Sequence, residues 1–588
     1  MKKILFIASA ILILLSGCEN FLDSELLTEK TTANFPETEK DAQEMVTAIY
    51  AHLLFESPET SSQYYIAQLA GDDCLGGNLS YSNNCATNFL MYSGNLNTFA
   101  GIWDRCYTLI NRANNAINTM ENVKSWSSES ERNRLFGESY FLRAMAYYEL
   151  AQVFGGVPLR TTLESTNLPR ASVDEIYTQI AADLKNAIEM MPAKIYPKGS
   201  DMTGHATKYA AEAMMARVFL FYTGRYEKNE LPNGTTKEEV ISWIDDCVNN
   251  SGHKLVSDQR NIWAYTNDAT EDNTEGFRYQ YVINHNLKWE GNSSDETLFA
   301  NKHNLKSDWT YTWFSNTCAQ FYSPSADNYS NKDSYPFGTG WGAGPVSPAM
   351  VNEWKDWAAK QTYTDGYIWS YKALDPNVAG NVLMDCTMDE GEPEYTVSYR
   401  YYEQTGYFQK KYININSYNE GKIEPFGKQM FPGISSQTSQ QLLQIADLIH
   451  IRFADVLLMQ SELKQDATGL NKVRARSHLA PVAYSLEAIK QERRWELAFE
   501  SIRWWDILRW SGPSLEEAGD ILNKQTGFNI INAATVVPMV KFDYKQPKAT
   551  GPFRKTKSTS PMESLSRIQA GMHLPSSRIG TICKSINL

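Results

Sequence analysis

Leu486-Glu-Ala-Ile-Lys-Gln-Glu-Arg-Arg-Trp-Glu-Leu-Ala-Phe-Glu-Ser-Ile-Arg-Trp-Trp-Asp-Ile-Leu-Arg-Trp510 is the stretch on which the fold turns. Its apolar spacing predicts one long helix. Arg493, Glu496, Glu500 and Arg503 fall on a single stripe at three- and four-residue steps. Paired carboxylates on a helix suit acid–base catalysis. They also suit a metal ion, but no Glu-x-x-His accompanies them. The stripe therefore reads as a ladder of ion pairs that locks this helix to its neighbours, with no catalytic residue, no metal and no cofactor.

Working outward, the sequence predicts helices on both sides and something else between. Upstream, Met45, Ile49 and Leu53 recur at helical spacing within Lys40–Leu54. Ile102, Cys106, Leu109, Ala113 and Ile117 do so within Phe99–Met120. Glu131–Phe154 is apolar on more than one side, which predicts a deeply packed helix, ended by Gly155-Gly156 and kept ended by Pro158. Ser172 and Glu175 form a capping box for a helix running to about Met191. Thr207–Tyr222 is a further helix, ending at Gly224. Nearer the quoted stretch, helices are expected at Gln441–Leu463 and around Gly469–Arg476. From about Ser251 to Ser436, Gly, Asn, Asp, Ser, Trp and Tyr dominate and helical periodicity is scarce. Tyr279–Ile283 and Tyr395–Tyr402 read as short strands there. Long irregular loops in a compact domain are functional or disordered, and this aromatic content argues against disorder. The expected fold is mainly α: a scaffold of helix pairs of the tetratricopeptide kind, carrying a large irregular, aromatic-rich insertion with few short strands.

The 588 residues carry a net charge of −13, which excludes nucleic acid as a natural partner, since phosphate binding wants a basic surface. The chain opens with Met1-Lys2-Lys3, an apolar run from Ile4 to Leu15, and Leu15-Ser16-Gly17-Cys18. This is the layout of a signal peptide, and its apolar run is too short for the ~20 residues that span a bilayer. The last four residues resemble the bacterial lipobox, which makes Cys18 the lipidated first residue of the mature chain. Cys74, Cys85, Cys106, Cys247, Cys318, Cys386 and Cys583 show no metal spacing. One or two disulfides stay open, Cys74 with Cys85 among them.

The quoted stretch has a further property. Ile-x-x-Glu-Arg-x-x-Glu-Leu, followed by Glu-x-x-Arg-x-x-Asp-x-x-Arg-Trp, resembles the signature helix of the SusD-like (RagB/SusD) outer-membrane lipoproteins. Other motifs are similar to that family in the same order. They are Cys18-Glu-Asn-Phe-Leu-Asp23, Tyr140-Phe-Leu-Arg-Ala144 leading to Phe154-Gly-Gly-Val-Pro-Leu159, Thr207-Lys-Tyr-Ala-Ala211, and Ile451-Arg-Phe-Ala-Asp-Val-Leu-Leu-Met459. The resemblance runs to about Thr550. It implies a nutrient-binding protein on the outer face of the outer membrane that is not an enzyme. It further implies binding of glycans, or of peptides in some branches, and a role as the lid on a SusC-like TonB-dependent transporter.

The chain thus divides into a signal peptide (1–17), a lipidated tether (18–36), an N-terminal helical scaffold (37–250), a ligand-binding insertion (251–436) and a C-terminal helical part (437–550). The tail, 551–588, is basic, Ser-rich and aperiodic. Read two bases out of frame with synonymous codons, Phe553–Met572 can spell Pro-Glu-Asn-Glu-Ile through Asn-Pro-Gly-Trp, an ending like the family's, so the tail reads as frameshifted. An oligosaccharide presents apolar C–H faces and polar rims, which aromatic planes and amides or carboxylates cover. The expected contacts are Trp289, Trp309, Trp313 and Trp341 in the insertion, with Tyr311 and Tyr322 nearby. Asp72, Asp73, Tyr81 and Asn83 join them from the loop after the first helices. A glycoside hydrolase is the competing reading. It requires two carboxyls about 5–10 Å apart across a cleft, for which Asp72, Asp73, Asp295, Glu296 and Glu390 are available.

The anchor is testable directly. Cys18→Ala is expected to leave the precursor unprocessed by the lipoprotein peptidase or to release the protein from the membrane. Equal retention of variant and parent after a salt wash sinks the assignment.

Overall fold

The structure, a computed structural model, describes residues 35–54, 63–74, 97–164, 167–267, 282–283, 286–303, 315–323, 337–338, 340–358, 360, 407–419, 422–425, 427, 442–524, 529–532 and 535–538. The signal, Cys18, the tether and the tail lie outside them.

Among the described residues seven helices lead: α1 (Glu39–Leu53), α2 (Gln63–Ala70), α3 (Asn97–Thr119), α4 (Glu129–Phe154), α5 (Val173–Met190), α6 (Lys208–Tyr226) and α7 (Lys237–Asn250). Their starts are fixed locally. Thr38, Ser172 and Thr236 each accept from the third backbone N–H of the helix they cap, and Asp41, Glu175 and Glu239 reach back to close capping boxes. Consecutive members pack side by side, α3 on α4, α4 on α5, α5 on α6 and α6 on α7, as stacked helix pairs do. The sequence reading singled out no helix at α7.

Helix α4 is the buried spine, covered on all faces for most of its length. It ends at Gly155, whose φ of 71° lies in the left-handed region. A side chain on Gly156 would drive its Cβ to 2.1 Å from the Ala171 carbonyl oxygen, so the exit turn requires glycine there. Buried ion pairs tie the spine to its neighbours. Arg143 holds Asp183 of α5 with two hydrogen bonds of 2.8 and 2.7 Å, and Arg105 of α3 pairs with Glu149. Helix α6 does not stop at Gly224 as expected; it continues to Tyr226 and ends on left-handed Glu227. Gly224 serves packing instead. A Cβ there would meet the Arg509 carbonyl oxygen at 2.6 Å.

Three further corrections come from the middle and the C-terminal part of the chain. Gln441–Leu463 is not one helix: strand β4 (Leu448–Arg452) precedes helix α10 (Phe453–Lys464). The strand wins because β1 (Thr297–Asn301) offers it an antiparallel partner, in register Thr297↔Arg452, Ala300↔Ile449 and Asn301↔Leu448. Tyr279–Ile283 is not a strand where it is described, since Val282 and Ile283 are helical. Tyr395–Tyr402 lies outside the described residues. The largest correction falls on the quoted stretch. It forms α12 (Leu486–Glu496) and α13 (Arg503–Ser511), with a turn between them that places Phe499 (φ 62°) and Ser501 (φ 58°) in the left-handed region. Before this pair the chain forms α11 (Thr468–Arg476), and after it α14 (Glu516–Asn523).

The insertion is not helix-free. It contains α8 (Thr317–Tyr322), α9 (Pro348–Ala358) and a hairpin of β2 (Asn416–Asn419) with β3 (Lys422–Pro425). Two short strands, β5 (Asn529–Asn532) and β6 (Thr535–Pro538), pair near the C-terminal end. One apolar core fills the helical scaffold. A second, built from Trp263, Phe321, Phe337, Trp354, Phe408 and their neighbours, fills the insertion and reaches Trp495 and Phe499. Among the described residues no helix is long and apolar enough to cross a membrane.

The scaffold contains one ill-matched charge. Both Glu212 carboxylate oxygens are buried without a hydrogen bond, and the nearest cation, Lys208 Nζ, is 3.4 Å away and shared with Asp246. Burial pushes the Glu212 pKa up from 4.5 to about 8. Between those values the native state keeps a proton that the unfolded chain releases, so this group's contribution to stability falls as pH rises. Glu212→Gln is expected to stabilise the protein at pH 8, by roughly 2 kcal/mol, and to leave it nearly unchanged at pH 5. An equal shift in melting temperature at both pH values refutes this.

Candidate ligand-binding site

The turn between α12 and α13 exists to point carboxylates inward. Arg452, the last residue of β4, is about 1% exposed and sits against three of them. Its Nη1 donates to Glu296 at 2.8 Å and to Glu496 at 2.5 Å. Its Nε and Nη2 grip Glu500 at 2.6 and 2.8 Å, and Nη2 also donates to the Glu496 carbonyl at 2.7 Å. Lys411 adds bonds to Glu500 (2.7 Å) and the Glu496 carbonyl (2.8 Å). Arg476 donates to Glu296 at 2.8 Å and also pairs with Glu496. Three carboxylates thus meet three cations in a dry, neutral cluster.

Burial works against every charge in the cluster. Despite it, Arg476, Arg452 and Lys411 hold the Glu496 carboxyl well below the usual range. For Lys411 burial prevails over Glu500 and lowers its pKa to about 8. The cluster joins the insertion to the scaffold: Glu296 and Lys411 come from the insertion, Arg452 and Arg476 follow it, Glu496 ends α12 and Glu500 lies in the turn. Left-handed non-glycine residues cost on the order of 1–3 kcal/mol each, and the turn carries two of them. It is held by the Tyr64 hydroxyl, which donates to the Phe499 carbonyl at 2.7 Å, and by Ser501 Oγ, which donates to the Tyr64 carbonyl at 2.6 Å.

The four residues expected on one stripe therefore diverge. Arg493 donates to Asp455 (2.6 Å) and Asp506 (2.7 Å), Glu496 and Glu500 turn to Arg452, and Arg503 leaves for Asp72 at 2.7 Å. The ion pairs lock neighbours together, but not as a ladder along one helix.

Asp72 and Asp73 are not displayed to solvent. Each is at most 4% exposed. Asp72 is held by Arg503 and by Arg494 Nη1 at 2.8 Å, and Asp73 lies 3.1 Å from the same Arg494. Burial opposes ionisation of both. For Asp72 the two arginines outweigh it and hold the carboxyl well below the usual carboxylate range. For Asp73 burial wins, and the pKa rises to about 6. The split resembles an acid–base pair, yet both side chains are enclosed by protein, with no room for a glycosidic bond. Asp295 pairs at the surface with Lys254, and Glu296 belongs to the buried cluster. Glu390 lies outside the described residues. Asp72 and Asp73 act as the root of the chain that leads toward Tyr81 and Asn83. The Asp73 carbonyl accepts from Ser347, and Cys74 forms a β-bridge with Val346. Cys74 is a buried free thiol bonded by Gln68 at 3.0 Å, not half of a disulfide.

The aromatic candidates separate in the same way. Trp289 and Trp341 are partly buried against the second core. Trp289 donates to the Ile262 carbonyl at 3.2 Å, and Trp341 packs edge-on against Phe321 at 5.8 Å. Tyr322 is fully buried and belongs to the core, not to a binding face. Tyr81, Asn83, Trp309 and Trp313 lie outside the described residues, as do Cys85 and Tyr311. Among the described residues no group of three or more His, Cys, Asp or Glu side chains is placed to hold a metal ion. Sequence reasoning overlooked Arg452 and Lys411 as the centre of the seam. The available signal was an arginine set between Ile451 and Phe453 in an apolar run.

Comparisons with known proteins agree over most of the chain. Residues 20–220 match a family described as starch-binding and associating with the outer membrane, and residues 259–551 match the SusD family. The SusD-like protein P38 of Formosa agariphila is 24% identical over 89% of this chain and 94% of its own length. A SusD-like protein of Bacteroides ovatus is 22% identical over 87% of this chain and 82% of its own. Among solved structures, a laminarin-binding SusD-like protein aligns with a TM-score of 0.59 at 21% identity, covering 83% of this chain and 94% of that one. Surface glycan-binding protein A from Bacteroides thetaiotaomicron in complex with laminarihexaose aligns with a TM-score of 0.60 at 18% identity, covering 90% and 98%. These likenesses establish a shared fold.

The seam makes a stability prediction. Arg452→Met strips one cation from three buried carboxylates and should cost about 3–5 kcal/mol. Protease should then cut within residues 251–436 below the melting temperature of the scaffold. Parent-like resistance in the variant overturns the assignment of Arg452 as the residue that seats the insertion.

Proposed function

The chain belongs to the SusD/RagB family, and from that premise we propose that it captures oligosaccharides at the cell surface for import. In this reading it is a binding protein, not an enzyme. It is held to the outer membrane by diacylated Cys18 and acts as the lid of a SusC-like TonB-dependent transporter. The observation that carries the reading is the division of labour in the fold. A helical frame, closed by the Arg452 cluster, supports an insertion with its own aromatic core and with Trp289 and Trp341 only partly covered. A saccharide site needs such fixed aromatic planes beside polar groups. The glycan-binding proteins that share the fold, one of them solved with laminarihexaose, favour a glycan over a peptide. The enclosure of Asp72, Asp73 and Glu296 by arginines weighs against hydrolysis.

The test pairs binding with assembly. Of Trp309→Ala, Trp313→Ala and Trp341→Ala, made singly, at least one should weaken calorimetric binding of an oligosaccharide such as laminarihexaose about 30-fold, the ~2 kcal/mol of a stacking hot spot, with an unchanged melting curve. Three variants that bind like the parent place the aromatic face elsewhere. A tagged copy extracted from native outer membranes should bring a large β-barrel transporter with it. Its recovery alone, where other barrel complexes survive, removes the lid from the reading.

A further inference from the structure

The charges gathered at the end of α2 do not balance. Asp72 and Asp73 follow the helix, Arg494 reaches them from α12 and Arg503 from α13, and Glu353 joins from α9. Three carboxylates therefore meet two guanidiniums. The cations are unevenly spent. Arg503 gives two bonds to Asp72, at 2.7 and 3.1 Å. Arg494 is divided among all three acids: Nη1 stands 2.8 Å from Asp72 and 3.1 Å from Asp73, and Nη2 stands 3.1 Å from Glu353.

Asp73 is the acid left short. It is 2% exposed, and neither of its carboxylate oxygens accepts a hydrogen bond. Buried polar groups are normally bonded, and a buried charge without bonds is costly. The Glu353 side chain is 40% exposed, so water supports its charge. The thiol of Cys74, next in the chain, is kept protonated by burial and lies against Gln68. One proton on Asp73 brings the group to zero net charge. Burial, with Asp72 and Glu353 beside it, outweighs Arg494 and Arg503 and raises the Asp73 pKa from 3.8 to about 6.

Asp73 also touches the seat of α9. Its backbone carbonyl accepts from Ser347, the residue before α9, at 2.8 Å, and Cys74 bridges to Val346. Ser347 Oγ is buried there without a partner. Helix α9 lays Met350, Val351, Trp354 and Trp357 into the second core, and Trp357 meets Trp495 of α12 at 5.8 Å. We propose that Asp73 is a proton-operated latch between the insertion and the scaffold. With its proton on, the joint of α2, α9 and α12 is neutral and α9 sits firmly. With the proton gone, a buried charge without hydrogen bonds loosens α9 from α12, while Asp72 keeps its two arginines. The native state thus holds a proton that an opened α9 releases. Its stabilising effect is complete below pH 3.8, falls as pH rises toward about 6 and is absent above that. The latch uses no contact with a ligand, so it stands apart from the glycan-binding reading.

Hydrogen exchange of the mature protein, followed by mass spectrometry from pH 5 to pH 7.5 and corrected for intrinsic rates, reads the opening of α9 in peptides spanning 347–358. In the parent their protection should fall about tenfold across that range, the ratio that pKa values of 3.8 and about 6 give. Asp73→Asn keeps the shape and cannot titrate, so its α9 protection should stay level. Glu212 titrates in parent and variant alike and cancels from the comparison. The same fall in Asp73→Asn as in the parent, or no fall in the parent, overturns the latch. Should Asp73→Asn fail to fold, Glu353→Gln decides. It removes a competing carboxylate from Arg494 and should move the midpoint of the fall to lower pH; an unmoved midpoint also overturns the latch.

Discussion

The rest of the molecule depends on a buried arginine that no single element can satisfy. Arg452 leaves the end of β4 into a dry interior, where an unpaired guanidinium would cost several kcal/mol. Its partners come from two distant places: Glu296 just before β1, and the pair of Glu496 at the end of α12 and Glu500 in the turn that follows. Beside it, β1 of the insertion pairs with β4, the strand that follows the insertion. The helix expected from Leu486 to Trp510 breaks between Leu497 and Ile502, and Glu496 before the break and Glu500 within it both bond Arg452. The left-handed Phe499 and Ser501 stand beside that charge cluster and are held by Tyr64.

The same logic repeats on either side of that break. Consecutive arginines on α12 go to different elements. Arg493 ties α10 to α13 through Asp455 and Asp506, while Arg494 binds Asp72 and Asp73 and, at 3.1 Å, Glu353 of α9. Arg509 closes the set on Asp506 and Glu462. Each bridge contributes little net stability compared with a well-packed apolar pair, but breaking any of them strands a charge in the interior. Their effect is to make wrong arrangements costly, which suits a frame assembled from segments hundreds of residues apart.

That long range explains which features the sequence made legible. Helix starts and stops that depend on neighbours in the chain were readable: the Ser172–Glu175 capping box and the Gly155-Gly156 exit stand where the residues placed them. The mainly helical fold and its family likewise followed from the order of the motifs. Features that depend on distant partners were not readable. Nothing local in Leu497–Ile502 forbids helix, and the bonds found across the break, between Tyr64 and Phe499 and Ser501 and between Arg452 and Glu500, are with residues far away in the chain. Asp72 and Asp73 lie in a polar stretch and look available until Arg494 and Arg503 arrive from the far end of the chain. Gly224 looked like a terminator because its role, close contact with the Arg509 carbonyl, belongs to another helix. Aromatic composition marked the insertion as special, but composition does not tell core from face: Tyr322 is fully buried while Trp341 is only partly so.

A frame built in this way bears on recognition. Fixing aromatic planes before the ligand arrives removes ordering entropy from the binding step, so the same contacts hold more tightly. In the proposed reading the second core would do that fixing for Trp289 and Trp341, which pack against it. The residues that hold the insertion are therefore different from those that would touch a glycan. Loops above the seat can change in length and sequence without disturbing Arg452, Glu496 or Glu500, which is how one frame serves many ligands.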